Sequence, residues 1–183
     1  VYSVIKSIVS ALTGIALQEG KLKGLSQTVA DIFPEWQAFS DDPEKKKITL
    51  LHLLTMTSGL RWDNTGEIST NQMMSTDIWA QYYINQPLTA VPGTSYVYSN
   101  GSAHLVSAIL EKVTGMPTWQ YADEKLFGPL GISGVDWPTD PSGTTIGAWG
   151  VHLTTREMAK IGLLYLNQGV WDGKQIVPKA WVR

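Results

Sequence analysis

Ser3 stands three residues before Lys6 in "VYSVIKSIVSALTGIALQEGKL", where an apolar, helix-forming run begins. Residues three apart on a helix share a face, so a lysine amine at this spacing can lie against a serine hydroxyl. The unpaired N–H groups of a first helical turn, together with the helix dipole, favour negative charge nearby. Both effects suit a serine that attacks a carbonyl, provided burial or neighbouring positive charge strips the lysine of its proton. Ser-x-x-Lys also arises by chance. Its flank gives it weight here, because so continuous an apolar face is foreign to a surface helix.

Tyr98 and Asn100 in "YVYSNGS" make a second pair. In extended backbone, residues two apart project to the same side, so a phenol and an amide would enter a cleft together. A tyrosine beside a lysine can share its proton and serve as general base. An asparagine can hold a substrate carbonyl or fix the lysine by hydrogen bonding. The same triplet also reads as a turn leading into a helix from Ser102.

These residues need elements to hold them. Val4, Ile5, Ile8, Val9, Leu12, Ile15, Ala16 and Leu17 fit one helix from Ser3 to Glu19, closed by Gly20 and Gly24. Short helices are expected in "LSQTVADIFPEW", after Thr49 up to Gly59, in "DIWAQYYINQP" and in "MPTWQYADEKLFGPLG". Leu105, Ile109, Leu110 and Val113 mark a clear helix from Ser102 to Thr114, and "TTREMAKIGLLYLNQG" is an amphipathic helix capped at Thr154 or Thr155. "VWDGKQIV" reads as a hairpin around Asp172-Gly173, and "PKAWVR" opens a last helix. Residues 60 to 75 are polar and read as a long loop. No set of five or six strands can be assembled.

Composition excludes several classes. The 183 residues are 43% apolar, enough for one sizeable core. A net charge of −2 argues against nucleic acid as a partner, and the one basic run, Lys45–Lys47, follows three acids and reads as a solvated loop. With no cysteine there are no disulfides or thiolate sites, and the redox compartment stays open. No apolar stretch reaches the roughly 20 residues of a membrane span. The chain opens on Val1 without a charged n-region before a hydrophobic core, so no signal peptide is read. His52, His104 and His152 lie far apart and suggest no metal. Trp62, Trp79 and Trp149 read first as packing residues, and Glu67 as a loop residue.

Taken together, the two motifs, their order and their surroundings resemble the serine beta-lactamase and penicillin-binding-protein superfamily in its class C-like branch. "ITLLHLLTMTSGL", "VPGTSYVYSNGSAHLVSAILEKVTG", "LFGPLGI" and "GVHLTTREMAKIGLLYLNQGVWDGKQIV" extend the likeness over most of the chain. The resemblance implies an α/β (α+β) parent fold, a helical region plus an antiparallel sheet. It implies that Ser3 is the acylated nucleophile, Lys6 its proton partner, Tyr98 the general base or proton relay and Asn100 a substrate-positioning amide. The Ser3 N–H would be one oxyanion-hole donor. The substrate would be a small amide or ester: beta-lactam, D-amino acid peptide, short ester or small amide. No cofactor or metal is implied.

The sequence departs from the family pattern in lacking the late strand with a Lys-Thr-Gly-like third motif. "GVHLT" comes too early to replace it. The expectation is therefore an internal portion of one hydrolase domain, mainly α with a few short strands and most of the sheet missing, and weakly active or inactive in isolation. The alternative is a non-hydrolytic sensor or binding module that recognises penicillin or peptidoglycan.

Overall fold

The apolar spacing after Ser3 produces helix α1, Ile5–Gln18, in the computed structural model, which describes residues 1–183. Ile5, Ile8, Val9, Leu12, Ile15 and Ala16 turn one face of α1 into the core. Each large aliphatic side chain so buried contributes about 2 kcal/mol. The chain leaves α1 through Gly20 at φ 70°, a left-handed conformation that a residue without Cβ adopts freely.

Helix α2, Val29–Ile32, opens with a Thr28/Asp31 capping box and ends before Pro34. After α3, Ala38–Asp41, a 3-10 turn covers Pro43–Lys47. Lys45 corrects the solvated reading of this basic run: it is buried, and its amine donates to the Ile84 carbonyl at 2.9 Å. Its aliphatic stem packs while its polar tip finds a backbone acceptor. Thr49 then caps α4, Leu50–Leu54, in a second capping box with His52.

The stretch expected to be a loop contains helix α5, Ile68–Met74. Its polar sequence hides it from periodicity, because what it buries is Ser69, Thr70 and Met73 rather than an apolar stripe. Ser69 Oγ accepts from the Asp63 N–H at 2.8 Å. That bond satisfies the backbone just ahead of a left-handed turn at Gly66 and Glu67 (φ 53° and 59°).

Helices α6, Trp79–Asn85, and α7, Asn100–Thr114, follow. Helix α7 is the axis of the molecule: Gly101 to Leu110 are all buried, and it touches α1, α2, α4, α5, α6 and α8 (Thr118–Ala122). Gly101 permits the close approach of α6, since a Cβ there would lie 2.4 Å from the Tyr83 ring. A single π-helical turn, Asp123–Phe127, extends α8.

Helix α9, Thr155–Leu166, starts at a Thr154/Glu157 capping box. Strands β1, Val170–Trp171, and β2, Lys174–Gln175, pair antiparallel with Val170 opposite Gln175. Asp172 and Gly173 both have positive φ, as a two-residue hairpin turn requires. Helix α10, Lys179–Val182, closes the order. The fold is thus mainly helical with one small antiparallel hairpin. No helix is long and apolar enough to cross a membrane.

Candidate active site

Ser3 sits on the turn before α1, one residue ahead of the N-cap Val4. The Lys6 N–H donates to the Ser3 carbonyl at 3.1 Å, which closes the turn and brings both side chains to one side. The regular helix begins two residues later than the sequence reading had it, and the three-residue spacing works all the same. The Ser3 N–H donates to no carbonyl of the protein.

Tyr98 and Asn100 arrive from the entrance to α7, 95 and 94 residues beyond their partners Ser3 and Lys6 in sequence. Ser99 is extended (φ −141°, ψ 122°), and its hydroxyl accepts from the Ser102 N–H, making it the N-cap of α7. Asn100 is therefore the first residue of α7, which starts two residues earlier than its apolar pattern. The extended pair and the helix entrance are both present: one extended residue separates the phenol from the amide, and the helix fixes the amide.

The Tyr98 hydroxyl donates to Ser3 Oγ at 2.6 Å. Lys6 Nζ donates to Ser3 Oγ at 3.2 Å, to Asn100 Oδ1 at 2.9 Å and to the Ala148 carbonyl at 2.9 Å. Three acceptors match the three protons of an ammonium. The amine also lies 5.0 Å from the centre of the Tyr98 ring. Asn100 Nδ2 donates to Thr70 Oγ1 at 3.1 Å, so the unforeseen helix α5 sets which way this amide faces. All four residues singled out in the sequence meet at one point. Two groups went unforeseen, Thr70 in the polar stretch and the Ala148 carbonyl, a backbone group no residue type announces.

Burial lowers the Lys6 amine below the ordinary lysine value, against the opposing influence of the Tyr98 hydroxyl. Burial pushes the Tyr98 phenol up, but hydrogen bonding to Lys6 and Ser3 and the Lys6 charge outweigh it, leaving the phenol below the ordinary tyrosine value. Both groups thus lie below their ordinary values within hydrogen-bond reach of the Ser3 hydroxyl.

Beside them opens a pocket of about 240 Å³ lined by Tyr2, Ser3, Glu67, Thr70, Met74, Asn100, Ala148 and Trp149. Trp149 and Glu67 therefore border the site, while Trp62 and Trp79 are buried packing residues. Trp149 packs on Trp79 at 5.5 Å between ring centres, and Trp79 on His104 at 5.4 Å. His104 and Asp140 are fully buried, 3.2 Å apart. Burial alone would raise the Asp140 carboxyl, yet bonds from His104, Ser142 and the Trp79 N–H hold it down to about 2. His52 belongs to the α4 cap, and His152 is exposed near Asp136. No group of three or more His, Asp or Glu side chains gathers as metal ligands would.

The chain is similar to several known proteins. A beta-lactamase from Escherichia coli K12 is 32% identical over 149 residues, covering 81% of this chain and 37% of that protein. The 6-aminohexanoate-dimer hydrolase of Paenarthrobacter ureafaciens is 24% identical over 98% of this chain and 48% of its own length. The chain thus spans about half or less of these relatives. The octameric penicillin-binding protein homologue from Pyrococcus abyssi has the same fold over 100% of this chain and 47% of its own, with a TM-score of 0.74 at 22% identity. The family model described as Beta-lactamase matches residues 1–183 from end to end, and the chain belongs to that family.

Proposed function

We propose that this chain carries the nucleophile and the proton-transfer groups of a class C-like serine hydrolase working through an acyl-enzyme on Ser3. One observation carries the reading: the Tyr98 hydroxyl and the Lys6 amine both reach Ser3 Oγ, at 2.6 and 3.2 Å, beside an open pocket. Ser3 Oγ bonds to the carbonyl carbon of an amide or ester, and its proton passes to the Tyr98–Lys6 pair. The oxyanion faces the unengaged Ser3 N–H. Collapse breaks the C–N or C–O bond, and Tyr98 hands the proton to the departing amine or alcohol. Water then attacks the Ser3 ester with Tyr98 as base, restoring the hydroxyl.

The substrate in this reading is a small molecule: a beta-lactam, a D-amino acid peptide, a short ester or a linear amide such as the dimer in the name of the Paenarthrobacter relative. The 183 residues form an internal portion of one hydrolase domain, and its broad sheet comes from chain outside them. Support comes from the length of the relatives, of which the chain spans 37% and 48%.

The test is mass spectrometry of the full-length protein after exposure to a fluorophosphonate and to a penicillin. One adduct on Ser3, absent in Ser3→Ala, is expected, with the penicillin adduct clearing as product appears. An adduct that never clears would make the protein a sensor. Rates unchanged by Ser3→Ala would end the proposal. On the 183-residue chain alone little labelling is expected, and stoichiometric labelling would refute that part.

A further inference from the structure

We infer that His104, paired with Asp140, is a positioning residue for Lys6: it clamps residues 140–149 against α7 so that the Ala148 carbonyl is held on the lysine amine. The inference rests on the reading of Lys6 as a proton-transfer group. It starts from a stripe on α7. Asn100, His104, Ser107 and Glu111 follow one another at four, three and four residues, so they lie on one face of the helix. His104 and Ser107 are fully buried.

Three members of the stripe, His104, Ser107 and Glu111, bond to this segment, and the fourth reaches the lysine. Asn100 meets Lys6 itself. His104 Nε2 lies 3.2 Å from Asp140 Oδ2, and His104 Nδ1 accepts from the Gly147 N–H at 3.5 Å. One imidazole thus spans the beginning of the segment and the residue next to Ala148. Ser107 Oγ donates to the Thr145 carbonyl at 2.8 Å, and Glu111 Oε1 accepts from the Thr145 N–H and hydroxyl at 2.9 and 2.7 Å. Asp140 Oδ1 in turn accepts from the Ser142 N–H and hydroxyl and from the Thr144 N–H. No side chain fits between helix and segment at Gly147, where a Cβ would lie 2.3 Å from the Ala103 carbonyl.

Stability alone does not account for a buried pair of this kind, because well-packed apolar residues of similar volume serve a core as well or better. What the stripe adds is registration. The carbonyl that meets Lys6 is on backbone, so its place depends wholly on where the segment is pinned.

The experiment is a mutant cycle in the full-length protein, read as the rate of Ser3 modification by a fluorophosphonate and as kcat and KM for a p-nitrophenyl ester. His104→Ala should lower the rate about tenfold or more with KM nearly unchanged. His104→Gln keeps a donor and an acceptor at similar reach and should recover most of the loss. In a Lys6→Ala background His104→Ala should cost nothing further, since coupled residues are non-additive. An equal loss in both backgrounds, no rescue by Gln, or no loss at all would overturn the inference. If His104→Ala does not fold, Asp140→Asn run through the same cycle decides on the same terms. Absence of any label on Ser3 in the unaltered protein would instead defeat the acyl-enzyme reading, and this inference with it.

Discussion

The Tyr98 hydroxyl donates to Ser3 Oγ at 2.6 Å across 95 residues of sequence. One partner precedes α1 and the other precedes α7, so their meeting depends on how those two helices pack. In the proposed mechanism, the phenol, once it has lost its own proton, would take the serine proton along this contact.

Tyr98→Phe keeps the ring and removes the acceptor. Acylation of Ser3 should slow by about 10²–10⁴-fold, while binding of a substrate analogue changes little. Stopped-flow acylation alongside equilibrium binding would check both halves. A KM-only effect would assign Tyr98 to binding instead.

The pH dependence follows from the two lowered groups. Proton acceptance requires the Tyr98–Lys6 pair to have lost one proton, so acylation should rise with pH. Because both groups lie below their ordinary values of 10.0 and 10.5, the midpoint should fall below 10. A pH profile of single-turnover acylation measures it. In Tyr98→Phe this limb should shift or vanish.

Asp140 makes a prediction about acid stability. Its folded carboxyl sits at about 2 against an ordinary 3.8, so on acidification the unfolded chain takes up the proton first. The stability it contributes is fully present above pH 3.8 and is lost as pH falls toward 2. The amount is on the order of 2 kcal/mol. Urea unfolding of the unaltered protein and Asp140→Asn should therefore differ at neutral pH and converge at the acid end.

Gly101→Ala tests the seat of α7. The added methyl would press on the Tyr83 ring at 2.4 Å and on Trp62 at 2.7 Å, in a core with no slack. A loss of about 2 kcal/mol is expected, read as a lower urea midpoint. The start of α7 carries Asn100, so Ser3 labelling should slow as well.

Much of this was legible in the sequence. The apolar faces of α1, α7 and α9 and the Asp172-Gly173 hairpin follow from period and turn chemistry, which are local properties. Ser3, Lys6 and Tyr98 were visible as residue types able to trade a proton, and Asn100 as an amide able to hold a substrate carbonyl or fix the lysine. Helix α5 was not, because its buried face is Ser69, Thr70 and Met73 and so lacks an apolar stripe. The Ala148 carbonyl was not, because every residue has one and only tertiary packing selects it. His104 looked like an isolated histidine, although it stands one helical turn after Asn100, and its partner Asp140 lies 36 residues further on.

The three acceptors around Lys6 carry a consequence for the life of the protein before it is finished. They come from residues 3, 100 and 148, so the amine is desolvated and fully bonded only after the chain from residue 3 to residue 148 has condensed. On the proposed mechanism, a nascent or misfolded copy would hold an ordinary hydrated lysine and an unactivated serine. Covalent labelling of Ser3 would then act as a proofreading signal, marking those copies in a population that have reached the native state.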